Sequence, residues 1–143
     1  MSYKKGGCIR RLYRLPRAEF TKLSQKAYRA QRRDQSEVCG VMIVDSEGTI
    51  RLRFLKNQST QPGRYRLDMN HVKLMKGQIK ESNLSVLGTF HSHPISEAIP
   101  GLGDLMTSFL NGCEMIYDVC GDKVRLWLKK NRRRAVELQL VIR

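Results

Sequence analysis

The sequence predicts a single α+β domain, or a three-layer α/β/α arrangement, built on a mostly antiparallel sheet. Three observations lead there. Helical spacing of apolar residues is confined to an early segment, a middle one and a short third one, whereas period-two strands come in hairpin-like pairs, and nowhere do strand and helix alternate strictly as in a βαβ protein. At 143 residues the chain suits one domain, large enough to bury roughly 68–70% of its unfolded surface without disulfides.

Taken in order, Phe20, Leu23, Ala27 and Tyr28 recur at helical spacing between Arg17 and about Arg33, with a basic opposite face and Pro16 suited to the first turn. The apolar run VCGVMIV (38–44), the turn DSEG and the alternating TIRLRFL (49–55) read as a hairpin with one wet face. Gln61, Pro62 and Gly63 mark a turn before a short third strand, RYRLD (64–68). Val72, Met75 and Ile79 then mark a second, short helix, with His71 a structural residue near its start. SVLGTF (85–90) is a buried strand, and residues 94–103, with two prolines and two glycines, form a loop. Leu105, Met106 and Phe109 suggest a short helix opening at Asp104 as its N-cap. EMIYDVC (114–120), a Gly121-Asp122 turn and KVRLWLKK (123–130) form another hairpin, and AVELQLVI (135–142) adds a last alternating strand. No repeat or linker interrupts the chain.

The apolar and charged fractions, 41% and 28%, are near globular averages, so only the sign of the charge is unusual. The net charge of +14 is concentrated at the ends: residues 1–33 carry +10 and 123–143 carry +7, leaving 34–122 at −3. The domain is therefore expected to carry basic N-terminal (1–16) and C-terminal (129–143) extensions, either solvated or docking an acidic protein partner. Nucleic acid is a weaker fit, because no interleaving of aromatic and basic residues appears. Cys8, Cys39, Cys113 and Cys120 lack C-x-x-C spacing, and neither an export segment nor a membrane-length apolar run is present, so free thiols and a cytoplasmic location are expected, with no membrane.

Chemistry concentrates in GTFHSHPISEAIPGLGDL (88–105). Histidines at i and i+2 on a strand share a face, so His91 and His93 can address one ion while Ser92 points away. Asp104, brought back by the intervening loop, would complete a His₂Asp set that leaves zinc's fourth position for water. Imidazole donors without a thiolate cluster favour Zn²⁺. Either half alone has an ordinary explanation: paired histidines on a strand end, an aspartate as a helix cap.

The combination resembles the JAMM (JAB or MPN-plus) metallopeptidase family, in which an upstream Glu precedes a His-[Ser/Thr]-His-Pro strand end followed by a Ser and an Asp. His91-Ser92-His93-Pro94 and Asp104 fit that pattern, and Glu37 of SEVCGVMIV (36–44) matches the family's upstream Glu. The similarity spans roughly residues 17–128 and implies the family's fold, a curved, helix-flanked sheet of cytidine-deaminase-like type. It implies one Zn²⁺ per chain on His91, His93 and Asp104, Glu37 as the catalytic acid–base, and cleavage of the amide bond after the C-terminal glycine of a ubiquitin-like protein by a stand-alone, prokaryotic-type enzyme. One position departs: Gly101 stands where the family has the serine that hydrogen-bonds the oxyanion, a donor whose loss costs about 10²–10³ in rate. That departure keeps open a second expectation, a zinc-binding but weakly active or inactive interaction protein on the same fold. A RadC-like, nucleic-acid-associated protein shares the H-x-H-P element but not the residues that follow here.

Overall fold

The computed structural model describes residues 12–61, 63–79, 83–101, 112–131 and 133–143. The described elements are β1 (Leu12–Leu15), α1 (Arg17–Asp34), β2 (Cys39–Val44), β3 (Ile50–Leu55), α2 (Met69–Ile79), β4 (Ser85–His93), β5 (Cys113–Asp118), β6 (Lys123–Asn131) and β7 (Arg134–Ile142). The strands form one seven-stranded sheet in the order β1-β7-β6-β5-β4-β2-β3. Neighbours are antiparallel except β4/β5 and β1/β7, so the sheet is mixed but mostly antiparallel.

The sheet curls until its two edges almost meet. Arg14 of β1 donates its backbone N–H to Gly48 O at 2.9 Å and its guanidinium to Thr49 Oγ1 at 3.0 Å, just ahead of β3. A nearly closed barrel results, its edges bridged at Arg14 and Thr49. The remaining edge is covered at one point by a side chain, since Glu19 of α1 accepts the Leu52 N–H at 2.9 Å.

Each face of the sheet buries one helix. Tyr13, Leu15, Met42, Phe90, Met115 and Leu126 form the main core with Leu23 and Ala27 of α1, and Phe20 meets Tyr117 edge-on at 5.8 Å. On the opposite face, Val72, Met75 and Ile79 of α2 pack on Val41, Ile43 and Val86. The all-apolar run of β2 is thus explained: odd residues serve α2 and even ones serve α1. Gly40 is required by this crowding, because a Cβ there would lie 2.0 Å from Arg53 O and 2.6 Å from the Phe90 ring.

The elements follow from local chemistry. Asp45 accepts the N–H groups of Glu47 and Thr49 through Oδ1, and Gly48 takes φ 85°, closing the β2–β3 hairpin. Asp68 caps α2 by accepting the Asn70 N–H at 3.0 Å, and His71 sits in that first turn as expected. Helix α1 ends at Gln35, which adopts the left-handed conformation.

One expected element is corrected. Residues 64–68 are not a strand: the Arg66 N–H goes to Asn57 Oδ1 and Arg66 O accepts from Gln58, so this segment pairs with the loop after β3 and adds nothing to the sheet. Residues 12–15 form a strand that was not foreseen. Residues 12–15 and 134–142, within the stretches expected as basic extensions, pair with each other in parallel, as in Leu12↔Gln139 and Leu15↔Ile142. Four residues are too short for alternation to announce a strand. Cys39, Cys113 and Cys120 are free thiols, as expected. The short helix expected at Asp104 lies outside the described residues, as do Cys8 and residues 1–11. No helix among the described residues is long and apolar enough to cross a membrane.

Candidate functional site

Strand β4 runs three residues past the apolar segment that predicted it, and those residues are His91, Ser92 and His93. It lies between β2 and β5, so all three are buried. Alternation turns Phe90 into the main core and sends Thr89, His91 and His93 to the α2 face. There the two imidazoles converge, with ring centroids 4.9 Å apart and Nε2 atoms 3.1 Å apart.

The other ring nitrogens are both engaged. His93 Nδ1 donates to the Glu97 carbonyl at 2.7 Å, which can only accept. His91 Nδ1 lies 2.5 Å from Oε2 of Glu114, a fully buried carboxylate. With both Nδ1 atoms turned to acceptors, the two Nε2 atoms face the same space. Their separation of 3.1 Å is close to that of two donors each about 2.0–2.1 Å from a tetrahedral zinc. The donor set therefore fits zinc on the histidine side. Among the described residues no group of three His, Cys, Asp or Glu is arranged to hold an ion, and Asp104 lies outside them.

Glu37 reaches this face through the pairing of β2 with β4. Cys39 lies opposite His91, and the Ser92 N–H donates to Val38 O at 3.0 Å, so one antiparallel step further Glu37 falls opposite His93. Ser92 Oγ accepts the Val38 N–H at 2.9 Å, and Asn57 donates an amide N–H to Glu37 O at 3.0 Å. Glu37 is itself buried. Burial first, and then the carboxylates of Glu37 and Glu114, push the Cys39 thiol up to about 12.

The loop leaving β4 is tied down along its length. Gln31 donates to Pro94 O at 2.5 Å, His93 to Glu97 O, and Trp127 Nε1 to Ala98 O at 2.9 Å. It leads to Gly101, which is exposed and has no side-chain hydroxyl.

Two residues at the site were not singled out from the sequence. Glu114 lies on β5 opposite Thr89, and Tyr65 stacks on His91 at 4.5 Å with ring planes 19° apart. The signal for Glu114 was a carboxylate inside an otherwise apolar strand, EMIYD, but assigning it to this face needed the β4–β5 register.

Residues 22–136 match the family model described as prokaryotic homologs of the JAB domain, which is most of the chain. A desampylase from Pyrococcus furiosus is 24% identical over 108 residues, covering 74% of this chain and 76% of the relative. Among solved structures, a protein of Desulfitobacterium hafniense superposes with a TM-score of 0.73 at 19% identity, covering 92% of each chain. A JAB1/MPN domain protein from Archaeoglobus fulgidus gives 0.57 at 20% identity, covering 90% of this chain and 98% of that one. The curled sheet of this chain is thus the fold of those proteins, and with the family model matched over residues 22–136 the chain belongs to the prokaryotic JAB family, the stand-alone branch of the JAMM/MPN proteins.

Proposed function

We propose that the chain is a zinc-dependent peptidase that cleaves the amide or isopeptide bond after the C-terminal glycine of a ubiquitin-like protein. The observation that carries this reading is the convergence of two buried imidazoles on one face, their Nε2 atoms 3.1 Å apart and both Nδ1 atoms held by acceptors. The similarity to a desampylase supports the substrate class. His91, His93 and Asp104 would hold the metal. When bound, zinc supplies a water of lowered pKa, near about 7, and Lewis acidity toward the scissile carbonyl.

The chain's own residues supply the rest. Glu37, opposite His93, accepts a proton from the attacking water on a carboxylate oxygen and delivers it to the leaving amine nitrogen, so one group acts as base and then acid. Asn57 holds the Glu37 carbonyl and Ser92 holds the adjoining Val38 N–H, which anchors the backbone that carries the carboxylate. The extended substrate tail adds to a sheet edge. Since Glu19 already occupies the Leu52 N–H on β3, the tail would pair beyond it, toward Leu55 and the site.

The second reading, a zinc-binding interaction protein with little activity, is favoured by Gly101, which has no hydroxyl for the oxyanion. One experiment separates the two. Purified protein is analysed for metal and then assayed on a ubiquitin-like protein fused through its C-terminal glycine, with wild type, Glu37→Ala, Gly101→Ser and chelator-treated wild type side by side. The enzyme reading expects stoichiometric zinc, cleavage abolished by Glu37→Ala and by chelation, and a rate gain in Gly101→Ser. Equal background cleavage by wild type and Glu37→Ala leaves the interaction protein as the function.

A further inference from the structure

We propose that Glu114, with Tyr65 and Thr89, is a positioning group for His91, setting its Nε2 for the metal and raising the affinity of the site. This rests on the zinc reading above and adds residues outside the His-x-His and Asp pattern.

Glu114 is fully buried, and three donors converge on it. Oε2 lies 2.5 Å from His91 Nδ1 and 2.9 Å from the Tyr65 hydroxyl, while Oε1 accepts the Thr89 hydroxyl. Adjacent pairing explains how they meet: Thr89 lies opposite Glu114 across β4 and β5, and His91 is two residues along on the same face. Tyr65 contributes twice, since its ring stacks on the imidazole while its hydroxyl holds the carboxylate. The ring of His91 is therefore fixed about both of its free rotations. The stack sets its plane, and the carboxylate sets which nitrogen carries the proton, leaving Nε2 directed at His93.

Stability alone does not account for such a group. A carboxylate removed from water costs several kcal/mol unless donors and a cation offset it, and apolar residues usually join two strands at no greater cost. The neighbours of Glu114 on its own strand, Cys113, Met115 and Ile116, are buried and apolar, so the strand needs no charge to hold its place. A carboxylate accepting from the far nitrogen of a metal-binding imidazole raises ligand basicity, and its loss typically costs about 10–100-fold in metal affinity.

The test measures Zn²⁺ affinity of the full chain by competition with a chromogenic chelator, together with thermal melting of the metal-free protein. Glu114→Gln keeps the size and an acceptor oxygen but removes the charge, and is expected to weaken Zn²⁺ binding by about 10–100-fold. Tyr65→Phe keeps the stack and loses the hydroxyl, and is expected to weaken it by less, while folding normally; it decides the matter if the glutamine variant does not fold. A purely structural role would lower the melting temperature and leave the affinity of the folded protein unchanged. Wild-type affinity in both folded variants overturns this proposal while the zinc reading stands. A wild type that binds no zinc overturns the zinc reading and this proposal with it.

Discussion

Ser92→Ala tests how the strand carrying the histidines also holds Glu37. Ser92 is fully buried, its Oγ accepts the Val38 N–H at 2.9 Å, and its N–H donates to Val38 O at 3.0 Å. The first of these bonds is lost with the hydroxyl. A buried donor left unsatisfied costs about 1–3 kcal/mol, and because Val38 is only half-buried the lower part of that range, about 1–2 kcal/mol, applies. An unfolding entropy of about 0.3 kcal/mol/K for a chain of 143 residues converts this to a fall in Tm of about 3–7 °C. The same change loosens Glu37 relative to His93, and a displacement on the order of 1 Å costs about 10²-fold in rate. The variant should therefore retain zinc, since both histidines keep their Nδ1 partners, yet lose most of its cleavage. Thermal melts by circular dichroism, metal analysis and kcat/KM on the fusion substrate read the three effects. A melt within 1 °C of wild type (against the ~3–7 °C expected) together with unchanged kcat/KM would refute the reasoning, because the Ser92–Val38 bond would then hold nothing in place.

Two further outcomes follow from groups outside the histidine pair. The N–H of Thr49, opposed by slight burial and aided by the N–H of Glu47 and by Arg14 and Arg51, holds the Asp45 carboxyl below its ordinary 3.8. A depressed pKa stabilises the fold above the unfolded-state value and is lost as pH falls through the folded one, so Asp45→Asn should lower Tm at pH 7 by an amount worth less than about 1 kcal/mol, with the gap to wild type closing below about pH 4. A gap that is the same at neutral and acid pH would show that the charge plays no part. The cysteines give the second outcome. Burial, reinforced by Glu37 and Glu114, pushes Cys39 up to about 12, and burial with Glu114 does the same for Cys113, whereas Cys120 is exposed. In a Cys8→Ser background the folded protein at pH 8 should titrate one thiol rapidly and the other two on the order of 10³-fold more slowly, since only thiolates react. Three fast thiols would mean that this part of the core is open to solvent.

What was legible in the sequence is what depends on near neighbours. Helix α1 showed in the spacing of Phe20, Leu23 and Ala27, the β2–β3 hairpin in Asp45 and Gly48, and the shared face of His91 and His93 in their separation of two. These patterns persist because a helix turn, a tight turn and a pleat are each set within a few residues. The short strand expected at 64–68 failed for the opposite reason. Its alternation was real, but Asn57 and Gln58 took its backbone groups before any strand could. Likewise β1 had too few residues to announce itself, and its strand exists because β7, more than a hundred residues away, lies beside it.

The sequence by itself supplied the candidate ligands His91, His93 and Asp104 from residue type and spacing, and, through the family resemblance, the acid–base candidate Glu37 and the glycine at position 101. Only the tertiary structure decided which groups surround them. Glu114, Tyr65 and Thr89 come from β5, the loop before α2 and β4, and nothing local ties the first two to His91. Their meeting depends on the parallel register of β4 with β5 and on the curl of the sheet, and register is settled by the packing of both faces at once, which no single segment encodes.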